Sequence, residues 1–267
     1  VARRKVVTLL TDFGLKDPYV GVMKGVLLSI NPDVTPVDLT HEVAPGDVFV
    51  AGTTLLEAYP FFPEGSVNVA VVDPGVGGAR RPIAFHTDGR FFVGPDNGLF
   101  WPILRRGPLP PIFHLNRERF FRHPVSATFH GRDVFAPVAA HLTLGAALED
   151  VGTRITDPRT LPIPEPRKQG SALIGEIIRV DHFGNLITNI HRIDLEDFAR
   201  GGQLVIRAGK IALQGLRDYY AAVAPGEPLA LIGSSNFLEI SVNQGRACDL
   251  LGPQAGSVGG KVVVEGT

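Results

Sequence analysis

Several short turns end apolar runs with residues able to do chemistry: Thr11-Asp12-Phe13-Gly14, Asp73-Pro74-Gly75-Val76-Gly77, Gly94-Pro95-Asp96-Asn97-Gly98, Thr128-Phe129-His130-Gly131-Arg132-Asp133 and Asp181-His182-Phe183-Gly184-Asn185. Carboxylates, amides, imidazole and guanidinium are costly to take out of water. A cluster of them therefore predicts a polar ligand. Arg80 and Arg81 follow Asp73 closely enough to pair with it. Taken alone, such a pair reads as a structural salt bridge. Asp12 is either a helix-entry turn residue or an acceptor for a sugar diol, and Asp17 follows in a separate turn. His130, between aromatic Phe129 and flexible Gly131, is either a hydrogen-bonded structural residue or a proton-handling one.

Other chemistries find less support. The Gly-rich turn 73–78 lacks both the Lys-Ser/Thr ending and the GxGxxG spacing of phosphate loops. His41, His86, His114, His123, His141 and His191 fall in no metal-ligand spacing. Cys248 is the only cysteine, which excludes an internal disulfide and a multi-cysteine metal site. Gly233-Ser234-Ser235-Asn236 is not a nucleophile elbow. With 44% hydrophobic residues, 20% charged residues and a net charge of −1, the composition is that of an ordinary globule. That charge supplies no electrostatic reason to expect nucleic acid or an anionic membrane as partner. No run approaches the roughly 18–20 apolar residues of a membrane span. The basic start, Val1 to Lys5, leads into an apolar run too short for a secretion signal, so the expected compartment is the cytoplasm.

The elements that must position these turns alternate in the first half. Val6 to Leu10, Val34 to Leu39 and Ser66 to Val72 read as strands. Tyr19 to Ser29 reads as a helix packed by Val22, Val26 and Leu27 or Leu28, and Asp47 as the cap of a helix running to about Tyr59. Ile83 to His86 and Phe91 to Val93 flank Asp88-Gly89, a hairpin signal, and Asp133 to Leu142 reads as a further helix. This alternation predicts an N-terminal α/β domain, residues 1–157, with a mostly parallel sheet. Pro158, Pro162, Pro164 and Pro166 mark a stiff linker, residues 158–169. In residues 170–267, short β-like runs are separated by turn signals such as Gly201-Gly202 and Pro225-Gly226, which predicts a C-terminal all-β barrel domain.

Taken in order with Asp181-His-Phe-Gly-Asn-Leu-Ile-Thr-Asn189 and Ser234-Ser-Asn-Phe-Leu-Glu-Ile240, the turns closely resemble one family. These are the adenosine-forming S-adenosylmethionine hydrolases, or hydroxide adenosyltransferases, relatives of the fluorinases and chlorinases. The resemblance runs from about Val6 to Val264. It implies hydrolysis of S-adenosyl-L-methionine to adenosine and L-methionine by in-line attack of water at the ribose C5′, without metal or redox cofactor. It implies Asp73, Arg80 and His130 as the catalytic trio and Asp12 as the partner of the ribose hydroxyls. Asp17 and Asp181 would meet the methionine ammonium, Phe183 and Asn185 the adenine, Ser234 and Ser235 the methionine carboxylate, and Asn243 the adenine again. The assembly implied is a homotrimer, with active sites between one subunit's N-terminal domain and a neighbour's C-terminal domain.

Three rival functions stay in view. A halogenase of the same family would carry arginine at the position of Ser235 and, in its fluorinating members, tyrosine at that of Asp73. A calcium-dependent nucleoside hydrolase would need a further acid where Leu10 stands. A non-catalytic sensor of S-adenosylmethionine or adenosine would not need the acid–guanidinium–imidazole trio.

Overall fold

The run Val6-Val7-Thr8-Leu9-Leu10-Thr11 is apolar or β-branched without polar alternation, which suits a strand covered on both faces. In the computed structural model, which describes residues 5–199 and 202–266, it forms β1. Val1 to Arg4 of the basic start, and Gly201 of the expected Gly201-Gly202 turn, lie outside the described residues. The chain divides into two compact units at Ile163/Pro164.

The first unit runs β1 (Val6–Thr11), α1 (Tyr19–Ile30), β2 (Thr35–Thr40), α2 (Val48–Ala58), β3 (Val67–Val71), β4 (Pro82–Thr87), β5 (Arg90–Pro95), α3 (Trp101–Leu104), β6 (Ile112–Leu115), α4 (Ala136–Thr143), α5 (Leu148–Val151) and β7 (Gly152–Ile155). Its sheet has the order β2-β1-β3-β5-β4-β6-β7. Pairing is parallel from β2 through β5 and antiparallel from β5 through β7. The switch follows from the Asp88-Gly89 turn, where both residues have positive φ and send the chain straight back as a hairpin. Asp47 caps α2 as expected, its Oδ1 accepting from Val50 N at 2.9 Å.

Helices cover both faces of this sheet. Val7, Leu9 and Val69 pack with Met23 and Leu27 of α1 and Val138 of α4. Leu10, Ala70 and Phe85 pack on the other side with Leu55 of α2 and Ile103 of α3. The expected packing face of α1 needs correction. Val22 and Leu28 are exposed at 38% and 43%, whereas Val20, Met23, Val26 and Leu27 are buried. Apolar residues run nearly all the way round α1, so periodicity alone does not choose its inner face.

The second unit runs β8 (Arg167–Gln169), β9 (Ala172–Val180), β10 (Leu186–His191), α6 (Arg192–Ala199), β11 (Leu204–Ala208), β12 (Ile211–Gln214), β13 (Pro228–Ile232), β14 (Phe237–Val242), α7 (Ala247–Ala255) and β15 (Lys261–Gly266). Every strand pair is antiparallel, in the order β12-β11-β15-β9-β10-β14-β13, with β8 added to β9. A bridge from Arg217 to Leu231 links the segment after β12 to β13, so the sheet comes close to closing as a barrel. Ile177, Leu186, Ile206, Leu238, Ile240 and Val264 fill its interior. Among the described residues, no helix is long and apolar enough to cross a membrane.

Candidate active site

Parallel strands deliver their following residues to one edge of a sheet, the usual place for a ligand in α/β folds. Thr11 of β1 pairs with Val71 of β3, so Asp12 and Asp73 leave neighbouring strands at that edge. His41 leaves β2 and Asp96 leaves β5 at the same edge. The two arginines after Asp73 part company there. Arg81 binds Asp96 Oδ2 through Nε (2.9 Å) and Nη2 (2.7 Å), and its Nη1 reaches Asp157 Oδ1 at 2.8 Å. Arg80 turns instead to Asp73.

Arg80 Nε lies 3.0 and 2.8 Å from the two oxygens of Asp73, and Arg80 Nη2 also donates to Oδ2. The same Nη2 lies 2.7 Å from His130 Nδ1. A guanidinium has no lone pair to offer, so Nδ1 must accept, and a neutral imidazole then carries its proton on Nε2. His130 titrates below the ordinary histidine value, first because burial disfavours the imidazolium and second because of the Arg80 charge. Both facts describe one state: a neutral ring with an N–H to present. The guanidinium lies 5.4 Å from the centre of the buried Phe135 ring. Its Nη1 is buried with no hydrogen-bond partner. The Asp73 and Arg80 side chains retain 4% and 9% of their exposure, so the pair is desolvated and held in one geometry.

Local structure explains why these groups meet. Gly77 has φ +74°, and a Cβ there would stand 2.1 Å from Ala127 O, so the Asp73 turn lies directly on the segment that leads to His130. Residues Gly131–Phe135 form a wide π-turn before α4, which begins later than the expected Asp133 start. Within it Asp133 is fully buried. Its carboxylate accepts from Arg132 Nε (2.6 Å) and Nη2 (2.8 Å) and from Ser126 N (2.8 Å). Burial alone would raise the Asp133 pKa, but Arg132, the Ser126 N–H and the Arg122 charge outweigh it and hold the carboxyl below its ordinary value. Asp133 thus clamps the 126–133 segment around His130. The sequence motif gives Asp133 no role by itself, because its partners depend on the π-turn.

The remaining predicted residues divide between the two units. In the first, Asp12 is half-buried, with Oδ2 accepting from Gly46 N at 2.9 Å, while Asp17 is exposed. In the second, Asp181 folds its own loop: Oδ1 accepts from Asn185 N and Oδ2 from Asn185 Nδ2, each at 2.9 Å. Phe183 stands at the tip of that loop, 70% exposed. Ser234 and Ser235 form the β13–β14 turn, Ser234 exposed and Ser235 half-buried. Asn243 follows β14, is buried, and donates through Nδ2 to Val223 O at 2.7 Å. The Asn185 backbone carbonyl accepts from Asp181 N at 3.0 Å, and the two Asp181 contacts engage N and Nδ2 of Asn185 but not its side-chain Oδ1. Among the described residues, no group of three or more His, Cys, Asp or Glu side chains is placed to hold a metal ion.

Residues 7–152 match the SAM hydroxide adenosyltransferase N-terminal domain, and residues 175–258 match the C-terminal domain of that family. The chain belongs to the SAM hydroxide adenosyltransferase family. It is 41% identical to a protein from Salinispora tropica named (R)-S-adenosyl-L-methionine hydrolase, over 94% of this chain and 95% of that one. A fluorinase from an Actinoplanes species is more distant, at 28% identity over 89% and 91% of the two chains. A solved structure of an uncharacterized conserved protein from Thermotoga maritima superposes with a TM-score of 0.90 at 36% identity, covering 97% of this chain and 99% of that one.

Proposed function

We propose that this chain hydrolyses S-adenosyl-L-methionine to adenosine and L-methionine. In the reaction, a water oxygen attacks the ribose C5′ from the side opposite sulfur. The C5′–O bond forms as the C5′–S bond breaks, and the sulfonium leaves with the electron pair as the neutral thioether of methionine. The water gives up one proton. No acid is needed for the leaving group, so the enzyme's work falls on the nucleophile. In this reading Asp73 orients the water and receives its proton, while Arg80 and the His130 Nε2–H stabilise developing hydroxide character.

The observation that carries this reading is the Asp73–Arg80–His130 contact chain in a family member this similar to a named hydrolase. Fluorination is disfavoured because the ionised side chain of Asp73 would repel a halide. The binding roles of Asp12, Asp17, Asp181, Phe183, Asn185, Ser234, Ser235 and Asn243 belong to the same proposal, as do a homotrimeric assembly, a cytoplasmic setting and metal-independent turnover. Incubation with S-adenosylmethionine, followed by chromatography, tests it. Equimolar adenosine and methionine, accumulating over many turnovers with chelator present and halide absent, is the expected result. Product that stops below one equivalent per site would mark a sensor, and loss of activity restored by calcium would mark a nucleoside hydrolase.

A further inference from the structure

His41 is 2% exposed and takes no part in the mechanism above. Its Nδ1 lies 2.8 Å from Thr11 Oγ1 and its Nε2 lies 2.9 Å from Asp38 Oδ1. The Nε2 contact is close enough for ion pairing but lacks the alignment of a directed hydrogen bond. Lys24 Nζ holds the other oxygen of Asp38 at 2.6 Å. Asp38, His41 and Thr11 therefore stand in the order of an acid–imidazole–hydroxyl relay. Thr11 is fully buried, however, so its hydroxyl cannot reach a substrate carbon. The relay must act on the protein itself.

Its target is the turn that carries Asp12. Thr11 Oγ1 accepts from Phe13 N at 3.2 Å, and the His41 carbonyl accepts from Gly14 N at 2.8 Å. The residues before and after Asp12 are thus both tied to His41, through its ring and its backbone. Phe13 in turn packs edge-on against Phe129, 5.9 Å between ring centres, next to His130. With Oδ2 of Asp12 engaged by Gly46 N, the direction of its other oxygen depends on how this turn is held.

We propose that His41 is a positioning residue that aims the Asp12 carboxylate at the substrate ribose, through its Nδ1 contact with Thr11. This rests on the reading of Asp12 as the ribose partner. The two nitrogens of the imidazole can be tested separately. In His41→Asn the amide falls near the place of Nδ1 and can keep the Thr11 contact. In His41→Gln it falls near Nε2 and keeps Asp38 instead.

The measurement is KM and kcat for S-adenosylmethionine, with dissociation constants for adenosine and L-methionine. His41→Gln and Thr11→Val should raise KM and weaken adenosine about tenfold, the order of one weakened hydrogen bond to a charged group. Methionine binding should stay unchanged, kcat should change far less, and His41→Asn should recover most of the loss. A merely structural histidine would lower the melting temperature and kcat in all variants, with KM intact and no selectivity between the two products. If Asp12→Asn raises KM but His41→Gln does not, the positioning role is wrong. If His41→Asn is as impaired in KM as His41→Gln, it is also wrong. If Asp12→Asn itself leaves KM unchanged, the ribose reading fails first and the positioning role falls with it.

Discussion

Arg80 shares its nitrogens between Asp73 and His130, and that division limits what each partner can do. Three contacts to Asp73 fix the carboxylate plane, and the single contact to Nδ1 leaves His130 only an Nε2–H to offer. His130 is therefore a hydrogen-bond donor in the resting site, and proton acceptance falls to Asp73. Asp73→Asn keeps the shape but removes the acceptor, and should lower kcat by about 100- to 1000-fold, the usual cost of one preorganised polar contact. KM should move much less; equal losses in kcat and affinity would point to a binding role. The pH profile follows from His130. Protonation of Nδ1 would break the Arg80 contact and place two cations side by side, so activity is lost as pH falls through the folded-state pKa. Burial and the Arg80 charge set that pKa below the ordinary 6.5. The acidic limb of kcat/KM attributable to His130 should lie below 6.5; a limb at or above that value would contradict the neutral-ring assignment.

At the scale of elements, the site depends on turns pressed against one another. Gly77 is the tightest of these contacts, with positive φ and its Cα against the Ala127 carbonyl. Gly77→Ala should destabilise the protein by more than about 1 kcal/mol from the left-handed backbone alone, and further by pushing the segment that bears His130 away from Arg80. Thermal unfolding and kcat should both fall; an unaltered kcat would show that the two loops need not touch. The strands that carry these turns are legible because β1 and β3 are mainly apolar runs, broken only by Thr8, Thr11 and Asn68, with an acid close behind each. α2 was legible from its Asp47 cap, and the hairpin from Asp88-Gly89. Other features were not. The π-turn at Gly131–Phe135 leaves the same residue pattern as an ordinary helix start. α6 is a short helix with only Leu195 buried, too little to register as a periodic face. The Thr11–His41 contact joins residues 30 apart, and neither residue type announces it. Asp73 and Arg80 lie close enough in sequence to suggest a pair, but His130 is 50 residues from Arg80, and its place came from the resemblance of the ordered motifs.

For the whole molecule, each unit has its own hydrophobic core, and the proposed substrate contacts are shared out between them. The first unit holds the trio, Asp12 and Asp17. The second holds Asp181, Phe183, Asn185, Ser234, Ser235 and Asn243. In the proposal, the ribose partner Asp12 and the trio belong to the first unit, while the adenine partners Phe183, Asn185 and Asn243 and the carboxylate partners Ser234 and Ser235 all belong to the second. The covalent event parts nucleoside from amino acid, and the central claim concerns the atom that replaces sulfur at C5′. Turnover of S-adenosylmethionine in water enriched with oxygen-18, with mass spectrometry of both products, identifies that atom. The heavy oxygen is predicted in the 5′-hydroxyl of adenosine and absent from methionine. Unlabelled adenosine, or a nucleoside that forms only when halide is supplied, would contradict the account.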